Sequence, residues 1–132
     1  MLRLSDIELV GSKAELADIP KGKVLINTIN AYSYNVAQKD ELFAHALVKG
    51  DYLLPDGAGV VKACRWLKGK SQPRERVAGW DLFAFEMQRL NEKGEIKNEK
   101  PPRVMFMGSS EKVLALVRER AANEYPNLEV IT

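Results

Sequence analysis

The sequence is poor in the residues that build disulfides and metal centres. Its 132 residues include one cysteine, Cys64, and one histidine, His45. A lone cysteine cannot form an internal disulfide, which is typical of proteins from a reducing compartment. His45 falls in a predicted helix without a partner pattern, and no group of histidine, cysteine and carboxylate side chains has the spacing of metal ligands. We therefore expect neither a disulfide-stabilised secreted domain nor a metal site.

The sequence also lacks long apolar runs, repeats and a strong charge imbalance. No segment approaches the roughly 20 apolar residues that cross a bilayer, and residues 1–11 lack the apolar core of a signal peptide. Twenty basic and eighteen acidic residues give a formal net charge of +2, which is too balanced to indicate nucleic-acid binding. The length is that of one ordinary domain. These features predict a cytoplasmic protein with a single domain over residues 1–132 and no nucleic-acid partner.

Short apolar runs alternate with segments whose apolar residues recur at helical spacing. The alternation favours an α/β fold, with a Rossmann-like, mostly parallel sheet flanked by helices. Asn30 and Asp40 are the predicted N-caps of the first two helices, and Gly50 is expected to end the second in a left-handed turn. The predicted strands cover 23–29, 51–54, 103–107 and 128–131, and the predicted helices cover 31–39, 41–49, 60–67, 81–90 and 111–124.

Ligands of parallel sheets bind beyond the carboxyl ends of the strands. Three loops leave predicted strands at that edge: 28–30, 55–59 and 108–110. The candidate site residues are therefore sought in these loops. Elsewhere, Cys64 is expected to be a small core residue, and Trp66 and Trp80 are expected to pack in the core or against loops.

The second of these loops has the sequence Pro55-Asp56-Gly57-Ala58-Gly59. Asp56 can act as a catalytic carboxylate, with Gly57 and Gly59 allowing a substrate to approach the backbone. It can equally form an ordinary Asp-Gly turn or cap the following helix. The glycines also resemble the start of a dinucleotide fingerprint. Its third glycine falls at Lys62, so a nicotinamide-dependent oxidoreductase is the weakest alternative.

Further polar groups at this edge have two interpretations each. Thr28 and Asn30 can bind a sugar or phosphate, or Asn30 can simply cap a helix. The backbone amides at Gly108 and Ser109 can bind an anion at a helix N-terminus, or Ser110 can cap that helix. A basic cluster can be a solvated face or can bind a diphosphate, for which Arg76 is the preferred candidate. The cluster consists of Arg65, Lys68, Lys70, Arg74 and Arg76.

Several of these segments together resemble the WecG/TagA/CpsF family of glycosyltransferases. They follow the family's order and cover nearly all of residues 24–132. The pattern PDG.G followed by ERVAG..DL at this spacing is the specific part of the resemblance. The segments are Thr28-Ile29-Asn30, Asp40 with Leu42, Leu54 to Val60, Glu75 to Gly79 with Asp81-Leu82, Met107-Gly108 and Tyr125-Pro126.

The resemblance implies an inverting glycosyltransferase of bacterial teichoic acid, exopolysaccharide or other surface-polymer synthesis. The sugar, of the N-acetylmannosamine or uronic acid type, would move from a UDP-sugar to a polyprenyl-diphosphate-linked sugar without a metal or other cofactor. Asp56 matches the family's proposed catalytic base, which takes the proton of the acceptor hydroxyl. The implied substrate-binding residues, including those that stabilise the departing UDP, are Thr28, Asn30, Gly57, Gly59, Arg76, Gly108 and Ser109.

The sequence departs from the family in two ways. The family has Thr-Pro-Asn where this chain has Thr28-Ile29-Asn30, so the polar pair is kept without the proline. The family also continues with further strand–helix units, a Gln-Glu nucleotide motif and a basic C-terminal segment. We therefore expect an N-terminal part of the family domain, peripheral on the inner membrane surface through a segment not present here. The alternative is a truncated, non-catalytic nucleotide-binding domain whose unfinished sheet edge at Thr132 promotes formation of a homo-oligomer.

Overall fold

The computed structural model describes residues 1–96 and 99–131. The chain divides into two compact units, Met1–Leu82 and Phe83–Thr132. The mixture of helices and parallel strands confirms the predicted α/β class. The assignment of residues 1–132 to a single domain stays a prediction.

The first unit is built around two adjacent parallel strands. Strand β1 pairs with strand β2 in a register that runs from Ile26 opposite Tyr52 to Ile29 opposite Pro55. Two helices connect the strands, and two short 3₁₀ helices precede them. The elements are the 3₁₀ helices Leu4–Asp6 and Lys13–Asp18, then β1 Ile26–Ile29, α1 Ala31–Lys39, α2 Glu41–Lys49, β2 Tyr52–Pro55 and α3 Ala58–Trp66, with α4 Gly79–Lys93 beginning at the end of the unit.

The core of the first unit lies on the β1–β2 pair. Ile29 and Leu54 are completely buried, and Cys64 of α3 is almost completely buried. This burial confirms the predicted core role of Cys64, and it raises the pKa of the thiol. The N-terminal segment, for which the sequence predicts no element, adds buried apolar side chains to this core. Those side chains include Leu4, Ile7, Val10 and Leu16.

Helix α1 begins and ends where the sequence predicts. The Asn30 side-chain oxygen accepts a hydrogen bond of 2.8 Å from the Ser33 backbone N–H, and the Ser33 hydroxyl accepts one of 2.9 Å from the Asn30 N–H. This reciprocal capping box satisfies two amides that a helix start otherwise leaves open. The Asp40 side chain caps α2 with a single bond, which it accepts from the Phe43 N–H at 3.0 Å. Both predicted caps are confirmed.

The prediction of a left-handed turn at Gly50 is wrong, because its φ is −64°. Glycine is needed there for close approach instead. A methyl group added at Gly50 would lie 2.8 Å from Asn27 Nδ2 and 3.2 Å from the Leu25 carbonyl oxygen. The same Asn27 amide donates to the Ala46 and Leu47 carbonyls, at 3.2 and 3.1 Å. A side chain on β1 thus satisfies carbonyls at the end of α2, which intrahelical bonds leave open.

The second unit contains a further parallel pair joined by a helix. It comprises the later part of α4, then β3 Arg103–Met105, α5 Glu111–Glu124 and β4 Glu129–Ile131, with β3 and β4 in parallel register. The Phe83 and Phe106 rings pack 6.1 Å apart. Asn91 of α4 accepts a bond of 3.0 Å from the Asn127 N–H. The first contact packs the residue after β3 against α4, and the second attaches the turn before β4 to the same helix.

Three structural expectations need correction. The four strands pair, within the described ranges, as two two-stranded parallel sheets, whereas the sequence predicts one sheet. Helical spacing also predicts that Leu42 on α2 and Leu116 on α5 belong to apolar stripes that pack inward, but these side chains are 80% and 58% exposed. Trp66 and Trp80, predicted to be packed, are exposed as well. Among the residues placed by the structure, no helix is long and apolar enough to cross a membrane.

Candidate functional site

The carboxyl ends of β1 and β2 bring two of the three predicted loops together. Ile29 and Pro55 are paired in the strand register, so the next residues, Asn30 and Asp56, leave the sheet side by side. The Asp56 N–H continues the ladder and donates to the Ile29 carbonyl at 2.8 Å. A methyl group at Gly57 would lie 3.9 Å from Asn30 Cβ. The predicted meeting of these loops at one sheet edge is therefore observed.

The segment around Arg76 joins the same edge. The Val77 N–H donates to the Pro55 carbonyl at 2.9 Å, and the Val77 side chain is completely buried. Two residues later, a methyl group at Gly79 would lie 3.7 Å from Thr28 Cγ2. The start of α4 thus lies against the end of β1, and the intervening turn lies beside the end of β2.

Asp56 is half-buried, and the structure rejects its interpretation as a helix cap. The N-cap of α3 is Gly57, and no side chain caps this helix. Within residues 1–96 and 99–131, the Asp56 carboxylate accepts no hydrogen bond and forms no ion pair. Gly57 has φ 156° and ψ 140°, a conformation that side chains disfavour. The geometry leaves the carboxylate and the first amides of α3 available to a ligand.

The geometry of Asn30 is compatible with both roles that the sequence leaves open, helix capping and ligand binding. Its side-chain oxygen is used by the α1 cap, and this bond fixes which end of the amide is oxygen. The side-chain NH₂ then points its donors elsewhere, and in the described part of the chain it has no acceptor. The neighbouring Thr28 side chain is exposed. Capping therefore orients Asn30 without consuming its donor group.

Arg76 differs from its neighbours in the basic cluster. Lys70 forms an ion pair of 2.9 Å with Glu8, and the Arg74 N–H donates to the Gly11 carbonyl, which attaches this stretch to the N-terminal segment. The Arg76 side chain is exposed and makes no ion pair with any residue that the structure describes. Its backbone is nevertheless held, because Val77 is anchored on Pro55. A fixed backbone with a free guanidinium suits diphosphate binding.

Gly108 and Ser109 belong to the second unit. Both have positive φ, 97° and 62°, and the Ser110 hydroxyl accepts a bond of 3.3 Å from the Val113 N–H as the cap of α5. The capping interpretation of Ser110 is therefore confirmed. A substrate role of Gly108 and Ser109 stays a prediction.

A groove of about 750 Å³ opens at the other edge of the first unit, beside the start of β2. Its polar lining is mainly carboxylate, since Asp6, Glu8, Glu15 and Asp18 contribute to it. Such a lining repels a diphosphate. We therefore place the candidate site at the carboxyl edge, where the cation and the uncapped helix start are.

Comparison with known proteins decides the family. The model of the glycosyl transferase WecG/TagA/CpsF family matches residues 3–132. The chain belongs to this family. Two N-acetylglucosaminyldiphosphoundecaprenol N-acetyl-beta-D-mannosaminyltransferases are similar to it, from Bacillus subtilis strain 168 (30% identical over 80% of this chain) and from Bacillus spizizenii (32% identical over 71%). The matched part spans only 38% and 33% of these relatives' own lengths.

The sequence analysis does not predict the groups that hold the segment Glu75 to Gly79 in place. The Glu75 carboxylate accepts a bond of 3.1 Å from the Lys13 N–H. The Asp81 carboxylate accepts one of 2.7 Å from the Ala78 N–H and lies 3.9 Å from Lys13 Nζ. Asp81 is the third residue of α4, where an acidic side chain typically reaches back to the helix start. That spacing could have revealed its role, whereas the contacts with Lys13 carry no sequence signal.

Proposed function

We propose that this chain carries the base and part of the substrate site of an inverting glycosyltransferase. The transfer runs from a UDP-sugar to a sugar on a polyprenyl diphosphate. The observation that carries the proposal is the half-buried Asp56 carboxylate, which lacks a partner in the described residues and lies between Asn30 and the uncapped start of α3. Membership of a glycosyltransferase family supports the proposal.

In the proposed reaction, the acceptor hydroxyl attacks the anomeric carbon from the face opposite UDP. The new bond forms between the hydroxyl oxygen and this carbon, and the bond to the UDP oxygen breaks with its electron pair leaving on UDP. Asp56 takes the hydroxyl proton as the attack proceeds. Asn30, whose side-chain NH₂ is oriented by the α1 cap, donates to a sugar oxygen and positions the acceptor or donor ring.

The departing diphosphate gains negative charge, which the protein must stabilise. Helix α3 offers backbone amides at its start, where a helix carries partial positive charge. Gly59, in the first turn, has open space around its Cα, so an oxyanion can approach closely. The exposed Arg76 guanidinium is suited to bidentate binding of phosphate oxygens.

The names of the relatives support a proposal for the acceptor and the transferred sugar. Both are described as transferring N-acetylmannosamine to N-acetylglucosaminyl diphosphoundecaprenol. We infer the same acceptor class for this chain and N-acetylmannosamine or its uronic acid as the sugar. Such an acceptor places the reaction at a membrane surface, which for a nucleotide-sugar donor is the cytoplasmic face.

The test is transfer of labelled sugar from UDP-N-acetylmannosamine to a short-chain polyprenyl diphosphate N-acetylglucosamine. Asp56→Asn should lower kcat by about 10²- to 10⁴-fold, the usual contribution of a general base. Calorimetric affinity for UDP should change by less than about twofold, because the amide keeps the shape of the carboxylate. Asp18→Asn, an exposed carboxylate at the other edge, is the matched control. Equal transfer rates for the two variants would refute the role of Asp56.

A second candidate is a nucleotide-binding domain that acts by self-association. The second unit favours it, because Met105, Met107 and Leu116 are each more than half exposed and exposed apolar surface promotes association. Light scattering distinguishes the two. A concentration-dependent oligomer that Leu116→Gln abolishes, in a chain without transfer activity, would support this candidate, whereas a monomer with transfer activity would reject it.

A further inference from the structure

The end of α3 displays apolar side chains to solvent. Trp66, the last residue of the helix, is 87% exposed, and the following Leu67 is 56% exposed. Two adjacent large apolar residues gain nothing from this placement in an isolated chain, because each leaves most of its apolar surface in water. Neither residue takes part in the candidate site, since α3 begins beside Asp56 and extends about 13 Å away from it.

The backbone presents these residues in a fixed turn. The Gly69 N–H donates to the Cys64 carbonyl at 3.0 Å, and the Lys68 N–H donates to the Arg65 carbonyl at 3.2 Å. This is the bond pattern of a Schellman helix end, with Lys68 in the left-handed position at φ 50°. The turn is also attached to the N-terminal segment, since the Lys70 N–H donates to the Ser5 carbonyl at 2.7 Å.

The same turn is strongly cationic. No acidic residue occurs between Asp56 and Glu75. Lys62, Arg65 and Lys68 are exposed, and in the ranges that the structure describes none of the three forms an ion pair. The cations therefore surround the exposed Trp66 and Leu67 without local neutralisation. We refer to these five residues, Lys62, Arg65, Trp66, Leu67 and Lys68, as the α3 tip.

We propose that the α3 tip docks on an anionic lipid surface. Tryptophan settles at the level of lipid headgroups, a leucine beside it enters the acyl boundary, and basic residues are attracted to anionic headgroups. Charge complementarity selects an anionic lipid surface. The exposed leucine favours lipid over nucleic acid, which is bound through phosphate contacts and base stacking. Docking at this end of α3 leaves the opposite end, beside Asp56, uncovered.

Binding of the full chain to vesicles, without nucleotide or acceptor, tests the proposal separately from the proposed transfer. In Trp80→Phe, Trp66 is the remaining tryptophan and reports on the tip directly. We expect its emission to shift to the blue and to be quenched by bromine-labelled lipid in vesicles with about 30% phosphatidylglycerol. Pure phosphatidylcholine vesicles should give neither change. No shift and no quenching with the anionic vesicles would overturn the proposal.

Substitutions then distinguish binding through the α3 tip from non-specific attraction of a cationic protein to anionic vesicles. Replacing Lys62, Arg65 and Lys68 with glutamine should weaken binding on the order of 100-fold, since each cation near such a surface contributes about fivefold. The matched control replaces Lys21, Lys23 and Lys39, three exposed lysines elsewhere, and should weaken it less than about fivefold. Leu67→Gln should weaken binding, and Leu42→Gln, at a leucine on α2 that is even more exposed, should not. Equal effects within either pair, or a tip that binds RNA but not vesicles, would overturn the proposal.

Discussion

A methyl group at Gly59 tests whether a ligand approaches the start of α3. Apart from the chain neighbours and the nearby backbone of the helix itself, no atom of the described residues lies within 4 Å of the added carbon. Gly59 lies in the first turn of the helix without a positive φ. Alanine is therefore compatible with the fold and restricts the unfolded chain. Gly59→Ala should raise the free energy of unfolding by roughly 0.5–1 kcal/mol, which corresponds to about 2–5 °C in Tm.

The effect on ligand binding should have the opposite sign. If a diphosphate oxygen bonds to the α3 amides, the methyl group stands in its path. Loss of one charge-assisted hydrogen bond corresponds to about 1.5–3 kcal/mol, so affinity for UDP should fall at least about tenfold. Calorimetry with UDP and, as a control ligand, ADP measures this change, and thermal unfolding measures the stability.

Gly57→Ala is the matched control, because it adds the same methyl group two positions earlier. At φ 156° the alanine is strained, so stability should fall, by about 1–3 kcal/mol. Opposite stability effects of the two substitutions would confirm the backbone geometry. A Gly59→Ala protein that is more stable and still binds UDP with unchanged affinity would refute the close approach at this position.

Two further predictions concern stability alone. Gly50→Ala should lower the free energy of unfolding by about 2–3 kcal/mol, because its methyl group displaces the Asn27 amide from two carbonyls. In an Asn27→Ala background this loss should be about half as large. Urea unfolding measures the double-mutant cycle, and additive effects of the two substitutions would contradict the explanation. Lys68→Gly should stabilise the protein by about 1 kcal/mol, because it removes the cost of a side chain at φ 50°. Lys62→Gly, inside α3, should destabilise it by about the same amount, and a loss of stability in both variants would be inconsistent with the helix end described above.

Local signals account for the parts of the fold that the sequence predicts well. Helices α1 and α5 have the predicted bounds, because Asn30 and Ser110 cap them through bonds that span three residues. Parallel pairing follows from the alternation of strands and helices, and it places Asp56 beside Asn30. The caps depend on short spacings and the pairing depends on the order of the elements, and a single sequence records both.

Long-range contacts account for the failures. The position of Arg76 depends on the bond from the Val77 N–H to the Pro55 carbonyl, and that of Glu75 on the Lys13 N–H. The donor of both bonds is a backbone N–H, which nearly every residue has. The sequence therefore does not indicate which residue supplies it. The prediction of which apolar side chains are buried fails for a related reason. A helical stripe identifies apolar residues that can share a face, but only the tertiary structure decides that Leu42 and Trp66 remain in solvent.

Three groups without partners among the described residues, at the carboxyl edge of the first unit, are chemically complementary to the proposed substrates. At each of these positions, the backbone or one side-chain atom forms the hydrogen bond that holds the fold, and the remaining polar group of the side chain forms none with a described residue. The Asn30 side-chain oxygen accepts the cap bond, and its NH₂ group remains available. The Asp56 N–H donates to the sheet, and its carboxylate remains available. The Val77 N–H anchors the turn, and the neighbouring Arg76 guanidinium remains available. An amide donor, a carboxylate and a cation at one edge are complementary to a sugar hydroxyl and a diphosphate. This division of roles is the structural argument for the proposed glycosyl transfer.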